Sequence, residues 1–218
     1  MKNRQSIQRM VGIASLAAIT AVLGFVANYV QIGTFSLNLT LIPLVIGAIL
    51  YGPLAGTLLG ALIGAIILVA PSTQGFLSIN PFGTVALCLA KTALAGCAAG
   101  WIFKALWKKN LTLAIVLAAM SAPIVNTGIF AIGCFTFFLP TMQAIASDSA
   151  TNVLTVVFVT MIGVNFFIEF AINAILSPTV IYIVRVISRN YNLGTNFNVG
   201  AIYKEEEIQK NQEEKQED

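Results

Sequence analysis

Two ionisable side chains, Lys91 and Glu169, lie within long apolar stretches of the chain. An ionised group in the middle of a membrane costs at least ~2.5–3.5 kcal/mol, so each must face a partner or a water-filled cavity. Asn165 and Asn173 lie four residues on either side of Glu169. Ser177 continues the same line. Because residues four apart share one face of a helix, these groups form a polar stripe that cannot point at lipid.

A second polar pair, Asn126 and Thr127, follows Pro123 in another apolar stretch. The proline is expected to kink the helix and to free backbone carbonyls that polar groups can satisfy. Two interpretations of all these groups remain open. In the structural one, Lys91 pairs with Glu169 and the asparagines link neighbouring helices. In the functional one, some of the groups end an outward-facing cavity and bind a small polar solute.

Uncharged amides and aromatic rings between the apolar stretches favour the functional interpretation, because such a lining suits a small organic molecule better than an ion. They are Gln31, Asn38, Gln74, Asn80, Gln143, Phe35, Phe76 and Phe82. We therefore predict a substrate site built from segments 31–38 and 71–81 and from the fourth to sixth apolar stretches. Its predicted residues are Lys91, Asn126, Asn165, Glu169, Asn80, Phe76, Gln74 and Asn38.

Residue types that metal, phosphate or covalent chemistry needs are scarce. The chain has no histidine, which excludes a histidine-based metal site. Its three cysteines, Cys88, Cys97 and Cys134, lie in apolar stretches without the spacing of a metal or redox motif. There is no Gly-rich phosphate loop ending in GK[ST] and no nucleophile–base pair. We predict no catalytic residue, no metal and no cofactor, so any ATP used in transport must be hydrolysed by another chain.

The composition is that of a membrane protein. Hydrophobic residues make up 57% of the chain and charged residues 10%, with a mean hydropathy of +0.86. A soluble domain carries about 25% charged residues. About 20 apolar residues in a helix cross ~30 Å of hydrocarbon. We predict an all-α membrane protein with six spans, at residues 10–30, 43–51, 53–69, 82–103, 111–139 and 154–187.

The distribution of basic residues sets the predicted topology. Lys and Arg occur before the first span, after the fourth and at the end of the sixth, whereas segments 31–38, 71–81 and 140–152 have none. Since cytoplasmic segments collect positive charge, both termini are predicted to be cytoplasmic. The predicted organisation is a cytoplasmic N-terminus (1–9), a six-helix membrane domain (10–189) and a disordered, polar cytoplasmic tail (190–218).

Glycines line one face of the third span. Gly56, Gly60 and Gly64 follow Gly52 at four-residue spacing. In a membrane such small residues let two helix backbones approach closely. Close packing without ligand contact is the simplest interpretation of this ridge. The dipeptide Gly52-Pro53 marks a tight turn, so the second and third spans are predicted to form a hairpin.

Small residues also recur in the first span, as two overlapping pairs. One pair is Ala14 and Ala18, and the other is Ala17 and Ala21. Pairs of this kind serve helix–helix contacts in membranes. Packing within the protein and docking onto another membrane protein both remain open.

Several motifs resemble those of the substrate-binding subunits, or S components, of energy-coupling factor (ECF) vitamin transporters. The most telling is IPLVIGAILYGPLAG within LNLTLIPLVIGAILYGPLAGTLLGALIGAI. An uncharged segment with an Asn-Pro pair leads into the fourth span, which contains a basic residue. The fifth span contains IVNTGIF, and the sixth contains NFFIEFAINAILSP. The resemblance covers about residues 10–189.

The resemblance implies a six-helix bundle in the cell membrane that binds a small water-soluble vitamin from outside with high affinity. It also implies docking onto a membrane coupling protein and two ABC ATPases, and toppling of the subunit to release its cargo inside. In that family the first helix docks through an AxxxA-type surface. Ala14 and Ala18 match it, with Ala17 and Ala21 as the adjacent register.

The nearest resemblance is to the group that includes pantothenate, riboflavin, pyridoxine and hydroxymethylpyrimidine carriers. A basic residue in the fourth span suits a carboxylate, which favours pantothenate. Similar members often carry Arg there, whereas Lys91 offers a point charge. If Glu169 neutralises Lys91, a neutral vitamin is equally plausible. The alternative function is a self-sufficient secondary carrier or channel for a small organic solute, which works without ATPases.

Overall fold

A computed structural model describes residues 2–29, 31–32, 35–36 and 39–190. This part of the chain is almost entirely helical, apart from an antiparallel pair of two-residue strands, β1 (Gln31–Ile32) and β2 (Phe35–Ser36). The helices in chain order are α1 (Lys2–Tyr29), α2 (Leu41–Tyr51), α3 (Pro53–Leu68), α4 (Pro71–Ile79), α5 (Pro81–Leu106), α6 (Leu111–Phe137), α7 (Leu139–Asp148), α8 (Val153–Thr155), a π-helical segment (Val156–Gly163) and α9 (Val164–Asn190).

Four stretches of helix are long and apolar enough to cross a membrane, in α1, in α5, in α6 and from α8 into α9. Helices α3 and α4 pass the same test only as a pair, bent by 83° at the break between them. Helix α2 is apolar but has only 11 residues. The described chain is therefore a helical protein with several candidate membrane spans. The count of six spans and the cytoplasmic position of the termini stay predictions.

Helices α2 and α3 form a hairpin around Gly52. This residue ends α2 and begins α3 with a φ of 93°, a left-handed backbone conformation that favours glycine. Beyond the turn, Gly56 packs beside Ala48, and Gly47 packs beside Leu59, so the two helices run antiparallel. Nearly all of α2 is buried, which agrees with its lack of charged side chains.

The glycine ridge of α3 packs against α5. A Cβ atom on Gly60 would collide with the backbone of Thr92, and one on Gly56 would lie 2.9 Å from the carbonyl carbon of Gly96. Gly64 repeats this arrangement one turn further along α3. The contact positions on both helices recur every fourth residue, so the two backbones meet in one continuous antiparallel register. The ridge therefore serves close packing.

This contact determines which residues of α5 face the rest of the bundle. Thr92 faces α3, and its hydroxyl donates to the carbonyl oxygen of Cys88 at 2.9 Å. Leu87 packs against Gly133 of α6. Lys91 precedes Thr92, and successive residues are ~100° apart around a helix, so Lys91 is turned away from α3. Its side chain reaches α6.

A hydrogen bond near the N-terminus of α1 connects this helix to α2. Nη2 of Arg9 donates to the carbonyl oxygen of Tyr51 at 2.7 Å. That carbonyl lies in the last turn of α2, where helical N–H donors are lacking and a cation is favoured by the helix dipole. Residues 2–9, predicted as a segment before the first span, are the first turns of α1.

Two segments predicted to lie between membrane spans, 71–81 and 140–152, are largely helical, as α4 and α7. Each helix has a proline in its first turn. A backbone N–H would have no helical partner there, and the fixed φ of proline suits a helix. We call the end of the bundle that carries these two helices the α4–α7 end. The turn between α5 and α6 lies at the opposite end.

The predicted sixth span is continuous but changes its winding. Val156–Gly163 is π-helical, between the short α8 and the long α9. A π-helix bonds residues five apart and has wider turns than an α-helix, and such segments are frequent at functional sites. The segment packs against α6 and α7.

We predict that Gly60→Ala lowers the melting temperature of the purified protein, because the new methyl group would collide with the backbone of Thr92. Overpacking of this kind costs about 1–3 kcal/mol. The matched control is Gly128→Ala in α6, where no atom lies within 4 Å of the added Cβ. There alanine should stabilise the helix by up to ~1 kcal/mol. Thermal unfolding in one detergent measures both variants, and equal melting temperatures would contradict the packing described here.

Candidate substrate-binding site

A cavity of about 480 Å³ lies within the bundle, toward the α4–α7 end. Its walls come from α1, α3, α4, α5, α6, the π-helical segment and α9. It borders two buried apolar clusters. One joins α2 to the first half of α6 and the end of α9, and the other joins the second half of α6 to α7 and the π-helical segment. Small-molecule sites occupy about 300–1,000 Å³, so the cavity suits a small organic ligand.

Three polar residues that the sequence placed on separate spans line this one cavity. Lys91 belongs to α5, Asn126 to α6 and Asn165 to α9. Lys91 lies ten residues from the start of α5 and Asn126 eleven residues from the end of α6, which is roughly 15–17 Å along each helix. Asn165 lies twelve residues from Val153, where the continuous helix that leads into α9 begins. The structure thus brings the three side chains to one depth around one space.

The ammonium group of Lys91 lies 5.2 Å from the centroid of the Phe130 ring. Within the part of the chain that the structure describes, Lys91 makes no ion pair, with Glu169 or with any other carboxylate. The pairing of Lys91 with Glu169, the structural interpretation of the sequence, is therefore not the arrangement observed. A cation–π contact holds an ammonium group by ~0.5–2 kcal/mol without neutralising its charge. The cavity wall thus contains the ammonium group of Lys91 as well as the carboxyl group of Glu169.

Two amide oxygens in the wall are buried without a hydrogen-bond partner among the described residues. They are Oδ1 of Asn126 and Oδ1 of Asn165. Asn126 is 5% exposed. A buried polar atom without a partner costs about 1–3 kcal/mol, and proteins satisfy such atoms with water or a ligand. Both residues line the cavity, although these two oxygen atoms are themselves shielded from water.

The predicted polar stripe on α9 divides at Glu169. Asn165 and Glu169 line the cavity. Asn173 instead donates from Nδ2 to the carbonyl oxygen of Glu169 at 2.8 Å, and the Ser177 hydroxyl donates to the carbonyl oxygen of Asn173 at 2.7 Å. The deeper half of the stripe is therefore buried and satisfied within its own helix.

Aromatic rings form the part of the wall nearest the α4–α7 end. Phe76 of α4 packs edge-on against Phe138 and Phe130 of the α6 region, with centroid separations of 5.1 and 6.2 Å. Edge-to-face pairs add ~0.5–1.5 kcal/mol beyond the area that they bury, so Phe76 ties α4 to α6. The cavity wall thus combines polar and aromatic side chains, which suits an amphipathic molecule.

The described chain contains no group of three His, Cys, Asp or Glu side chains placed to hold a metal ion. The ionisable wall residues Lys91 and Glu169 lie among amides, hydroxyls and apolar groups. A wall of this kind can bind and orient a solute through hydrogen bonds and charge.

Of the seven predicted site residues that the structure describes, two do not line the cavity. Oδ1 of Asn80 accepts from the backbone N–H of Gly83, because this side chain caps the start of α5. Gln74 is exposed on α4, and its Nε2 donates to the carbonyl oxygen of Leu68 at 3.3 Å. Asn38 lies outside the described residues. Lys91, Asn126, Asn165, Glu169 and Phe76 line the cavity.

Several wall residues were missed because nothing in their local sequence distinguishes them. Phe130 is a typical apolar helix residue, although its spacing of four from Asn126 puts both on one face of α6. Threonines in apolar helices are also common, since they can bond their own backbone. The missed wall residues include Thr40, Thr73, Thr84, Cys88, Phe130, Phe138, Thr160 and Phe166.

The two small-residue pairs of α1 differ in exposure. Ala14 and Ala18 are exposed, whereas Ala17 and Ala21 are half-buried. Exposed apolar residues continue the first pair along the same side of the helix, including Val11 and Val22. The face that contains Ala14 and Ala18 therefore has no partner in the described bundle, and we call it the α1 face.

Comparison with known proteins gives one result. A family model described as "ECF transporter, substrate-specific component" matches residues 8–181, which include the whole described cavity wall. No curated protein and no solved structure matches the chain significantly. The match spans most of the chain and confirms the resemblance found in its motifs. The chain therefore belongs to the family of ECF transporter substrate-specific components.

Proposed function

We propose that this chain captures a small anionic vitamin from the extracellular side of the plasma membrane, with pantothenate as the favoured cargo. The observation that carries the proposal is the ammonium group of Lys91, which lies in the cavity wall without an ion pair among the described residues. A charge held at such a position is stabilised by a partner or by a water-filled cavity. A cargo carboxylate supplies that partner.

The shape and chemistry of the cavity support a cargo of this size and polarity. Its volume of about 480 Å³ accommodates a vitamin-sized molecule. Lys91 offers a cation, and Phe76 and Phe138 offer apolar surface. Pantothenate combines a carboxylate with an apolar dimethyl group. Its carboxylate would meet Lys91, and its methyl groups would meet the rings.

The orientation follows from the basic and aromatic residues at the end opposite the cavity. Lys104 lies 4.8 Å from the ring of Trp101, and Lys108 lies 5.9 Å from the ring of Trp107. Tryptophan is typical of membrane–water interfaces, and lysine is enriched on the cytoplasmic side. We place the turn between α5 and α6 in the cytoplasm, together with both termini. The α4–α7 end and the cavity then face outward.

ATP-driven delivery of the cargo requires partners, because the chain lacks the phosphate-loop motif of an ATPase. We propose that the α1 face docks onto the membrane coupling protein of an ECF module, whose two ABC ATPases hydrolyse ATP. Ala14 and Ala18 are small and exposed on this face, so another helix can approach closely. Ala17 and Ala21 are half-buried, so this pair is the less suitable docking surface.

Lys91→Met is predicted to weaken pantothenate binding by about 10- to 100-fold, the effect of losing one charged hydrogen bond of ~1.5–3 kcal/mol. Lys91→Arg keeps the charge and should retain part of the affinity. Isothermal titration in detergent measures both. Pantothenol, which has a hydroxyl in place of the carboxylate, should bind the wild-type protein weakly. It should bind the Lys91→Met variant with about the same low affinity.

The matched control is Lys104→Met, which removes a cation at the opposite end of the bundle. It should leave the affinity unchanged. Equal affinity of the wild-type protein for pantothenate and pantothenol would contradict the assignment of the cargo carboxylate to Lys91. Failure to bind any vitamin of a broad panel would contradict cargo capture itself.

Ala14→Leu with Ala18→Leu is predicted to abolish uptake while leaving cargo affinity unchanged, because the larger side chains fill the α1 face without reaching the cavity wall. Uptake is measured in liposomes that contain the coupling protein and both ATPases. The control, Ala171→Leu, adds the same bulk at an exposed position of α9 and should transport normally. Loss of cargo binding in the double variant would make the face internal packing. Uptake by the chain alone would instead identify a self-sufficient carrier.

A further inference from the structure

The end of the bundle opposite the α4–α7 end carries four exposed cations, which we call the basic cluster. Lys104, Lys108 and Lys109 lie at the turn between α5 and α6, and Arg185 lies near the end of α9. Nη2 of Arg185 donates to the hydroxyl oxygen of Thr112 at 3.4 Å. The end of α9 therefore lies beside the start of α6, and the cations of the cluster come from neighbouring elements.

The described residues offer this cluster no carboxylate at its own end of the bundle. Their two acidic residues are Asp148, at the end of α7, and Glu169, in the cavity wall. Among the described residues, the three lysines of the cluster make no ion pair, and two of them lie over the rings of Trp101 and Trp107. A cation–π contact does not neutralise the cation, so the cluster presents positive charge to an anionic partner.

Acidic residues of the chain are concentrated beyond α9. Residues 205–218, which we call the acidic tail, include seven acidic and two basic residues, a net charge of −5. Residues 1–204 include two acidic and ten basic residues, a net charge of +8. The acidic tail lies outside the described residues, but its charge complements that of the cluster.

The tail is attached close to the cluster. Helix α9 ends at Asn190, five residues after Arg185, which is ~7.5 Å along the helix. Residues 191–204 separate Asn190 from the tail, and Lys204 is their one charged residue. A segment of 14 residues spans up to ~50 Å, so the tail can reach every cation of the cluster. A tether of this length gives an effective concentration of about millimolar, so a weak affinity suffices.

We propose that the acidic tail binds the basic cluster of its own chain through ion pairs. The inference goes beyond the proposed function and does not depend on the cargo. Basic residues at a cytoplasmic membrane surface also attract anionic lipid headgroups. The tail is the favoured partner because it is tethered beside the cluster and carries several carboxylates that can meet several cations at once. Bound there, it shields this end of the bundle from anionic lipids.

Tryptophan fluorescence can test the contact, because both tryptophans of the chain lie at the basic cluster. A nitroxide quencher is attached to Gln212→Cys in the tail of a protein that also carries Cys88→Ala, Cys97→Ala and Cys134→Ala. Quenching, relative to the unlabelled protein, is measured in phosphatidylcholine nanodiscs. It should be strong at low salt and fall at least about twofold at 1 M salt, where charges are screened within about 3 Å.

Two matched variants separate the charge of the cluster from mere proximity of the tail. Lys108→Gln with Lys109→Gln should reduce quenching about as much as high salt does. Lys108→Arg with Lys109→Arg keeps both charges and should retain it. Quenching that depends on neither salt nor these charges would show a tail that is only tethered and would overturn the proposal. So would loss of quenching when phosphatidylglycerol is added to the nanodiscs, because anionic lipid would then occupy the cluster.

Cross-linking of the native chain identifies the residues in contact. A carbodiimide joins a carboxylate to a lysine amine when the two groups touch, and mass spectrometry locates the link. Links from 205–218 to Lys104, Lys108 or Lys109 are expected, whereas Lys91, in the cavity wall, should form none. Mixing isotopically labelled and unlabelled protein distinguishes links within one chain from links between chains. Links to the cluster that form only between chains, or none to the cluster at all, would contradict the proposal.

Discussion

The direct contact between the backbones of α3 and α5 is the constraint on which the rest of the structure depends. Glycines at four-residue spacing remove every side chain from one face of α3, so Gly60 meets the backbone of Thr92. Dispersion across such a contact is what holds helices together in lipid, where apolar side chains gain nothing by leaving their solvent. The contact sets the rotation of α5 and therefore turns Lys91 away from α3, toward α6 and the cavity.

The cost of polar groups in a membrane explains how the rest of the site is arranged. Polar side chains on α9 that can bond their own helix do so, as Asn173 and Ser177 show. Four other polar side chains, those of Lys91, Asn126, Asn165 and Glu169, line the cavity. The polar groups within the predicted spans thus either bond their own helix or border one shared interior space.

Sequence patterns were informative where a residue type has few physical uses. Glycines at regular spacing predicted close helix packing, and the expense of burying Lys91 and Asn126 predicted a shared interior space. The wall depends also on how each helix is rotated, which no local pattern encodes, and Phe130 was missed for that reason. Polar residues of 71–81 were placed in the site, yet Asn80 caps α5 and Gln74 faces outward. Composition cannot distinguish a residue that ends a helix from one that binds a ligand.

Protection of Cys88 by cargo is the most direct measurement of the central claim, that these groups converge on one accessible cargo cavity. Cys88 lines the cavity beside Lys91. With Cys97→Ala and Cys134→Ala in the background, a small water-soluble thiol reagent applied from outside should modify Cys88. Saturating pantothenate should slow that reaction by at least about tenfold, because by mass action it leaves few sites unoccupied. A Cys88 that reacts at the same rate with and without any vitamin, or that never reacts, would contradict the account.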